Sequence, residues 1–284
     1  MNPICVLTDS TVQFAKPSFS GRQHVTIVPL GSQINSQVYS PGSDQKNIVF
    51  PAILDENLVT QLTVPSVEEF RDLFLRISEE YREAIAIFHS DELSSTGPNA
   101  QEAARLVRGR INVQVINSQS ISVGLGFLVQ AAADMVAAGN SLTEIDRSMR
   151  KIIPHIYSVF CIPNLSYLFH AGFVGESQSA IGEMLNLLPL FTLEEGHLTP
   201  IEKVRNIRQL LDFMIEFLDE FNDLEQIALI QSTPSINHEI RALREHVTEN
   251  FENTPFSEIP INLPMVTLFG PKCVGLFAIE TPGE

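Results

Sequence analysis

Basic residues are scarce in this chain: 18 Lys and Arg stand against 34 Asp and Glu, a net charge of −16. Without a basic stripe there is no footprint for nucleic-acid phosphates. Attraction to an anionic membrane surface is disfavoured for the same reason. Cysteine is also sparse. Cys5, Cys161 and Cys273 lie far apart in apolar surroundings, which reads as buried free thiols in a reducing compartment. No CxxC pair or histidine-rich spacing offers a zinc site, and no cofactor is expected. No GxGxxG follows a strand, and neither a Walker loop nor GxSxG occurs, so nucleotide-binding and serine-hydrolase signatures are missing. The start, MNPICVLTDST, lacks the basic region and long apolar core of a signal peptide. Residues 152–175 carry no Asp, Glu, Lys or Arg. Pro154, Pro163 and two histidines interrupt them, so a membrane span is a poor reading. A soluble cytoplasmic protein is expected.

What is present is a large apolar fraction, 44% of 284 residues, enough for one large or two ordinary domains. Ile4–Ser10, Val25–Leu30, Ala84–Ser90 and Val113–Ser118 read as strands buried on both faces. Between them Val67–Tyr81 has apolar residues at helical spacing, with Ser66 and Glu69 forming a capping box. NAQEAARLVRGR and VGLGFLVQAAADMVAA read as further helices, the glycine pair of the second suiting close packing. Strands alternating with helices predict an α/β fold with a parallel sheet covered on both faces. A helix over Glu144–Ser158 is expected to cross into a second α/β domain. There SVFCIPNLSYLF restarts with a strand, Glu195-Gly196 turns a hairpin, and Leu210–Phe221 and Ile236–Val247 read as helices. IALIQS and VGLFAIE read as strands. The expected domains are 1–157 and 158–284.

The stretch FHSDELSSTGPNA, Phe88 to Ala100, is the most suggestive. Ser90, Ser94, Ser95 and Thr96 crowd a strand-to-helix turn, where hydroxyls and free N–H groups suit a carboxylate or phosphate. The same residues are good helix caps. Thr8-Asp9-Ser10, His89-Ser90-Asp91 and Asn117-Ser118 end three strands alike, and ligands of such sheets sit at the carboxyl ends of strands. Asp9 and Asp91 read as capping and turn residues, with paired carboxylates as the alternative. One histidine beside serines falls short of a triad.

Eight segments together resemble the DegV family, bacterial two-domain fatty-acid-binding proteins, over essentially the whole chain. They include VLTDST (Val6–Thr11), LTVPSVEEF (Leu62–Phe70), HSDELSSTGPNA (His89–Ala100), NLSYLFHAG (Asn164–Gly172) and GPKCVG (Gly270–Gly275). The resemblance implies a non-catalytic protein that binds a long-chain fatty acid. The carboxylate would be held at the domain interface by hydroxyls and backbone N–H groups, and the acyl chain would lie in an apolar tunnel of the second domain. Some members serve a separate fatty acid kinase subunit.

The resemblance assigns Ser94 to the family's carboxylate-binding serine and Thr63 to the serine of its TSQPS motif, with Ser95 and Thr96 beside them. Leu62 replaces that motif's threonine, Phe173 an arginine and Leu268 a histidine. Those three losses weigh against kinase partnership. Lys272, where the family has glycine, either supplies a replacement cation or is a solvated loop lysine. Phe160, Leu165, Leu168, Phe169, Phe173, Leu187, Leu190 and Phe191 could line the tunnel, or serve as ordinary core. Each buried methylene contributes about 0.8 kcal/mol, so some ten outweigh a weakened head-group contact. Two alternatives stand beside this reading: a neutral or differently charged amphiphile as ligand, and an enzyme acting on a small phosphorylated substrate at the strand ends.

Overall fold

Short apolar runs and amphipathic stretches alternate along the first half of the chain, and a computed structural model turns them into strands and helices. It describes residues 4–34, 37–39, 50–51, 54, 60–185, 187–232 and 240–280. The elements begin β1 (Ile4–Asp9), β2 (Val25–Val28), β3 (Gly31–Ile34), β4 (Gln37–Tyr39), β5 (Thr60–Thr63), α1 (Val67–Ile77) and β6 (Glu83–Phe88). Next come α2 (Thr96–Leu106), β7 (Asn112–Asn117), α3 (Ser122–Ala137), α4 (Leu142–Ile152), β8 (Ile156–Cys161), α5 (Leu165–His170) and α6 (Glu176–Met184). The chain continues through β9 (Leu188–Glu194), β10 (His197–Val204), α7 (Ile207–Asp219) and β11 (Leu224–Gln231). Last are α8 (Arg241–Asn250), β12 (Phe256–Pro260), α9 (Leu263–Phe269) and β13 (Val274–Glu280). Contacts divide the chain into two units. The first holds Met1–Leu30, Thr63–Pro154 and Glu195–His197; the second holds Gly31–Leu62, His155–Glu194 and Leu198–Glu284. Residues 31–62 thus group with the second unit, whereas the sequence reading kept them in the first.

The first unit is built on a parallel sheet in the order β2-β1-β6-β7, with Leu7 opposite Ala86 and Ala86 opposite Val115. Because side chains alternate along a strand, Cys5, Leu7, Ala84, Ala86 and Phe88 face one way. They meet Phe70 and Phe74 of α1 and Ala100 and Ala103 of α2. Val6, Ile85 and Ile87, fully buried, face the other way, where α3 and α4 pack on β1 and β6. The expected capping box starts α1: Ser66 Oγ accepts from Glu69 N, and Ser66 N donates to the Glu69 carboxylate at 2.8 Å. Two expectations need correction. β2 is not buried on both faces, since Thr26 and Ile27 are exposed at the sheet edge. The helix expected to reach Ser158 stops at Ile152, because Pro154 cannot continue it, and Ser158 lies in β8.

In the second unit the six-stranded sheet runs β10-β9-β8-β13-β11-β12, with β8 antiparallel to both β9 and β13. One face, including Val159, Cys161, Leu190 and Leu276, packs on Leu210, Leu211 and Met214 of α7 and Leu243 and Val247 of α8. On the other face the Phe160 ring meets Phe277 edge-on with centres 5.5 Å apart and lies tilted 5.6 Å from Phe269 of α9. The β9–β10 turn has Glu195 at φ 49° and Gly196 at φ 88°, the two left-handed residues of a tight hairpin. Residues 236–239 of one expected helix lie outside the described residues; its remainder appears in α8. The small sheet β4-β3-β5 was not anticipated. All three cysteines are free and buried, and burial pushes the Cys5 thiol up to about 11 and Cys161 to about 12. Among the described residues no helix is long and apolar enough to cross a membrane.

Gly126 of α3 lies so close to the β1–β2 connection that a Cβ there would sit 2.1 Å from the Gln13 carbonyl oxygen. Backbone cannot swing aside as a side chain can. Gly126→Ala is therefore expected to destabilise the first unit by about 1–3 kcal/mol, read as a lower denaturation midpoint in urea; an unchanged midpoint would refute this packing.

Candidate functional site

The carboxyl ends of β1, β6 and β7 share one edge of the parallel sheet, and the residues just beyond them form a hydrogen-bonded cluster. Asp9 ends β1, and its carboxylate accepts four bonds. Oδ1 takes the Thr11 hydroxyl at 2.6 Å and Thr11 N–H at 2.9 Å; Oδ2 takes His89 N–H and His89 Nδ1, each at 2.9 Å. Asp9 and His89 are both wholly buried. Burial alone would raise the Asp9 carboxyl. The His89 charge outweighs it together with the bonds from His89 and Thr11, and holds the carboxyl below its ordinary range.

From His89 the chain of contacts runs outward. Nε2 lies 2.7 Å from Ser94 Oγ, which is 2.8 Å from Thr96 Oγ1 and accepts Thr96 N–H at 3.2 Å. Thr96 is buried, while Ser94 is half-buried. Ser95, the N-cap residue of α2, is exposed and makes no side-chain cap bond, while Ser94 Oγ takes the N–H of Thr96, the first residue of the helix. The Ser94 and Thr96 hydroxyls bond to each other, and Ser94 also to the histidine. Thr63 is exposed at the end of β5. The loop after it is tied to α2 by Asn99, whose amide donates to the Pro65 carbonyl at 2.8 Å. Asp91 packs against Gly97 in the first turn of α2, its carboxyl raised by burial. The bonds of the Asp9 carboxylate go to Thr11 and His89.

The remaining expected site residues belong to the second unit. Leu62 and Leu268 are buried, at 7% and 5% exposure. Phe173 is half-buried, its N–H donating to the Leu168 carbonyl. Lys272 is exposed; its backbone N–H reaches Asn164 Oδ1 at 3.4 Å, and among the described residues its ammonium has no ion-pair partner. Of the expected tunnel residues, Phe160 and Phe191 sit opposite one another across β8 and β9. Leu190 faces the other way, into the α7 and α8 packing, and is core. Among the described residues no group of three or more His, Cys, Asp and Glu could hold a metal ion.

A family model described as "Uncharacterised protein, DegV family" matches residues 3–281. The chain belongs to the DegV family. A DegV domain-containing protein of Caldanaerobacter subterraneus is 30% identical over 286 residues, covering 99% of this chain and 100% of that one. A DegV family protein from Thermus thermophilus, whose structure is described by its fatty acid binding, matches with a TM-score of 0.79 at 23% identity, covering 98% of this chain and all of that one. The Streptococcus pneumoniae fatty acid kinase B3 protein, loaded with linoleic acid, matches at 0.80 and 16% identity, again covering 98% and all. At these identities the solved structures establish the fold: this DegV chain is a mixed α/β protein over its full length.

Asp9 and His89 are the residues the sequence reading undervalued, as turn residues 80 positions apart. The available signal was register. Parallel pairing of β1 with β6 sets Leu7 opposite Ala86, so Asp9 falls beside the end of β6, next to His89. Breaking a buried pair by removing one charge costs about 3–5 kcal/mol, and Asp9→Asn is expected to show a loss of that size in urea denaturation near neutral pH. Folded Asp9 titrates below its free value. Its contribution is complete above about pH 4 and is lost as pH falls through the folded value. Wild type should lose stability steeply in that acid window and Asp9→Asn less so; parallel pH profiles would contradict the assignment.

Proposed function

We propose that this protein binds a long-chain fatty acid without catalysing its conversion, with the carboxylate received by Ser94. The observation that carries the reading is the hydroxyl pair Ser94–Thr96 at the strand end, fixed from behind by the buried Asp9–His89 pair. Thr63, Ser95 and the first N–H groups of α2 would complete the head-group contacts, since a helix start favours an anion. The acyl chain would use the apolar face of the second unit that carries Phe160, Phe191, Leu165 and Leu168, the domain expected at 158–284 contributing most of it. Burial of each methylene at about 0.8 kcal/mol lets the chain supply most of the affinity. Neighbours of the same fold described as fatty-acid-binding support this ligand class.

The order Asp9–His89–Ser94 is also that of an activated serine nucleophile. Bond counting favours binding instead. The Ser94 oxygen accepts the Thr96 N–H at 3.2 Å and shares a hydrogen bond of either direction with the Thr96 hydroxyl at 2.8 Å, so two partners besides the histidine already hold it. Leu62, Phe173 and Leu268 replace the groups expected to assist phosphoryl transfer. We read this chain as working apart from a kinase subunit, with no nucleic-acid or membrane partner. Its three buried thiols suit the cytoplasm.

Mass spectrometry of an organic extract from the purified protein tests the ligand: a stoichiometric long-chain fatty acid is expected. An empty protein that also refuses added fatty acid would overturn the reading. Ser94→Ala removes a hydrogen bond to a charged group, worth about 1.5–3 kcal/mol, and should weaken fatty-acid affinity about ten- to hundredfold. Unchanged affinity would move the carboxylate away from Ser94.

A further inference from the structure

We propose that His89 takes up a proton when the site receives a carboxylate, so that fatty-acid binding is proton-coupled and the charge on His89 selects between an anionic and a hydroxyl head group. This rests on the fatty-acid reading above and goes beyond it.

The argument is a count of hydrogens. Asp9 is ionised and can only accept, and its Oδ2 faces His89 Nδ1 at 2.9 Å. Nδ1 therefore carries a proton. If the ring is neutral, Nε2 is a bare lone pair, and the Ser94 hydroxyl 2.7 Å away must donate to it. Ser94 Oγ then accepts from Thr96 Oγ1 and from Thr96 N–H. Every hydrogen in the chain Thr96, Ser94, His89, Asp9 points inward, and none is left for a carboxylate, which can only accept. Add one proton at Nε2 and the chain reverses. His89 now donates to Ser94, and one hydroxyl hydrogen, from Ser94 or Thr96, is released to an outside acceptor. An alcohol brings its own hydrogen and needs no such reversal.

Among the described residues the charged groups beside His89 are Asp9 of β1 and Asp91 of the loop after β6, while Glu92 is paired to His197 at 3.3 Å. Ser118 and Ser120, beyond the end of β7, are neutral. The first turns of α2 and α3 hold no acidic residue. A bound fatty acid would bring a further carboxylate to these two, Asp9 and Asp91.

Titration calorimetry with heptadecanoic acid and heptadecanol, in buffers of different ionisation heat across about pH 5 to 8 where imidazole side chains titrate, tests the idea. Wild type is expected to take up close to one proton per fatty acid at the alkaline end. Its fatty-acid affinity should fall there by up to about tenfold per pH unit, while the alcohol binds with no uptake and a flat profile. In His89→Gln the amide nitrogen takes the place of a permanently protonated Nε2. In His89→Asn the amide nitrogen takes the Nδ1 position and Ser94 is freed. Both should lose the uptake, and whatever pH dependence remains in either belongs to the fatty acid itself. Fatty-acid binding by wild type without proton uptake, or with a pH profile equal to those variants, would overturn this inference alone. Failure of wild type to bind the fatty acid at any pH would overturn the underlying reading as well.

Discussion

The mouth of the first unit's sheet depends on a carboxylate and an imidazole that water does not reach. Asp9 and His89 are wholly buried, and an isolated ion there would be costly enough to abandon its charge. The chain meets that cost with four hydrogen bonds to one carboxylate, two of them from His89 itself. Such a satisfied network is rigid, and its rigidity passes outward: a fixed ring sets Ser94, and Ser94 sets Thr96. The strand ends thereby present a hydroxyl pair whose hydrogens are dictated from behind, instead of a loose polar loop.

The two units differ in the surfaces their sheets carry. The first has polar strand ends over a parallel sheet. The second has a sheet face lined by Phe160, Phe191 and Phe277, with Tyr167 and Leu168 of α5 also wholly buried. The opposite face of that sheet is closed by α7 and α8 as ordinary core. Strand alternation alone sends the neighbours Leu190 and Phe191 to opposite faces of this sheet.

Much of the fold was legible because its signals are local. Apolar runs located β1 and β6, helical spacing located α1, the Ser66–Glu69 box started α1 at the residue expected, and Glu195-Gly196 turned the hairpin as its φ values require. What escaped was short or non-local. β3, β4 and β5 are three or four residues each, too brief to carry a period. α4 ended early because Pro154 outweighed a helical pattern running past it. At the site, Ser94 and Thr96 stood out as hydroxyls, but their partners did not: no local rule links Asp9 to His89, and only the parallel register of two strands brings them together. Of the serines expected to cap α2, Ser94 takes the first helical N–H and also meets His89, while Ser95 makes no cap bond.

The charge on the His89 ring with and without ligand decides the account most directly. Nitrogen-15 NMR of the histidine side chains reads it, with His89→Gln identifying the resonances. In the free protein at mildly alkaline pH the account requires a neutral ring, protonated on Nδ1 and bare on Nε2; after saturation with heptadecanoic acid it requires both nitrogens protonated. A ring that stays neutral with the fatty acid bound would show that the carboxylate is held by other donors, and that the buried pair serves only to support the fold.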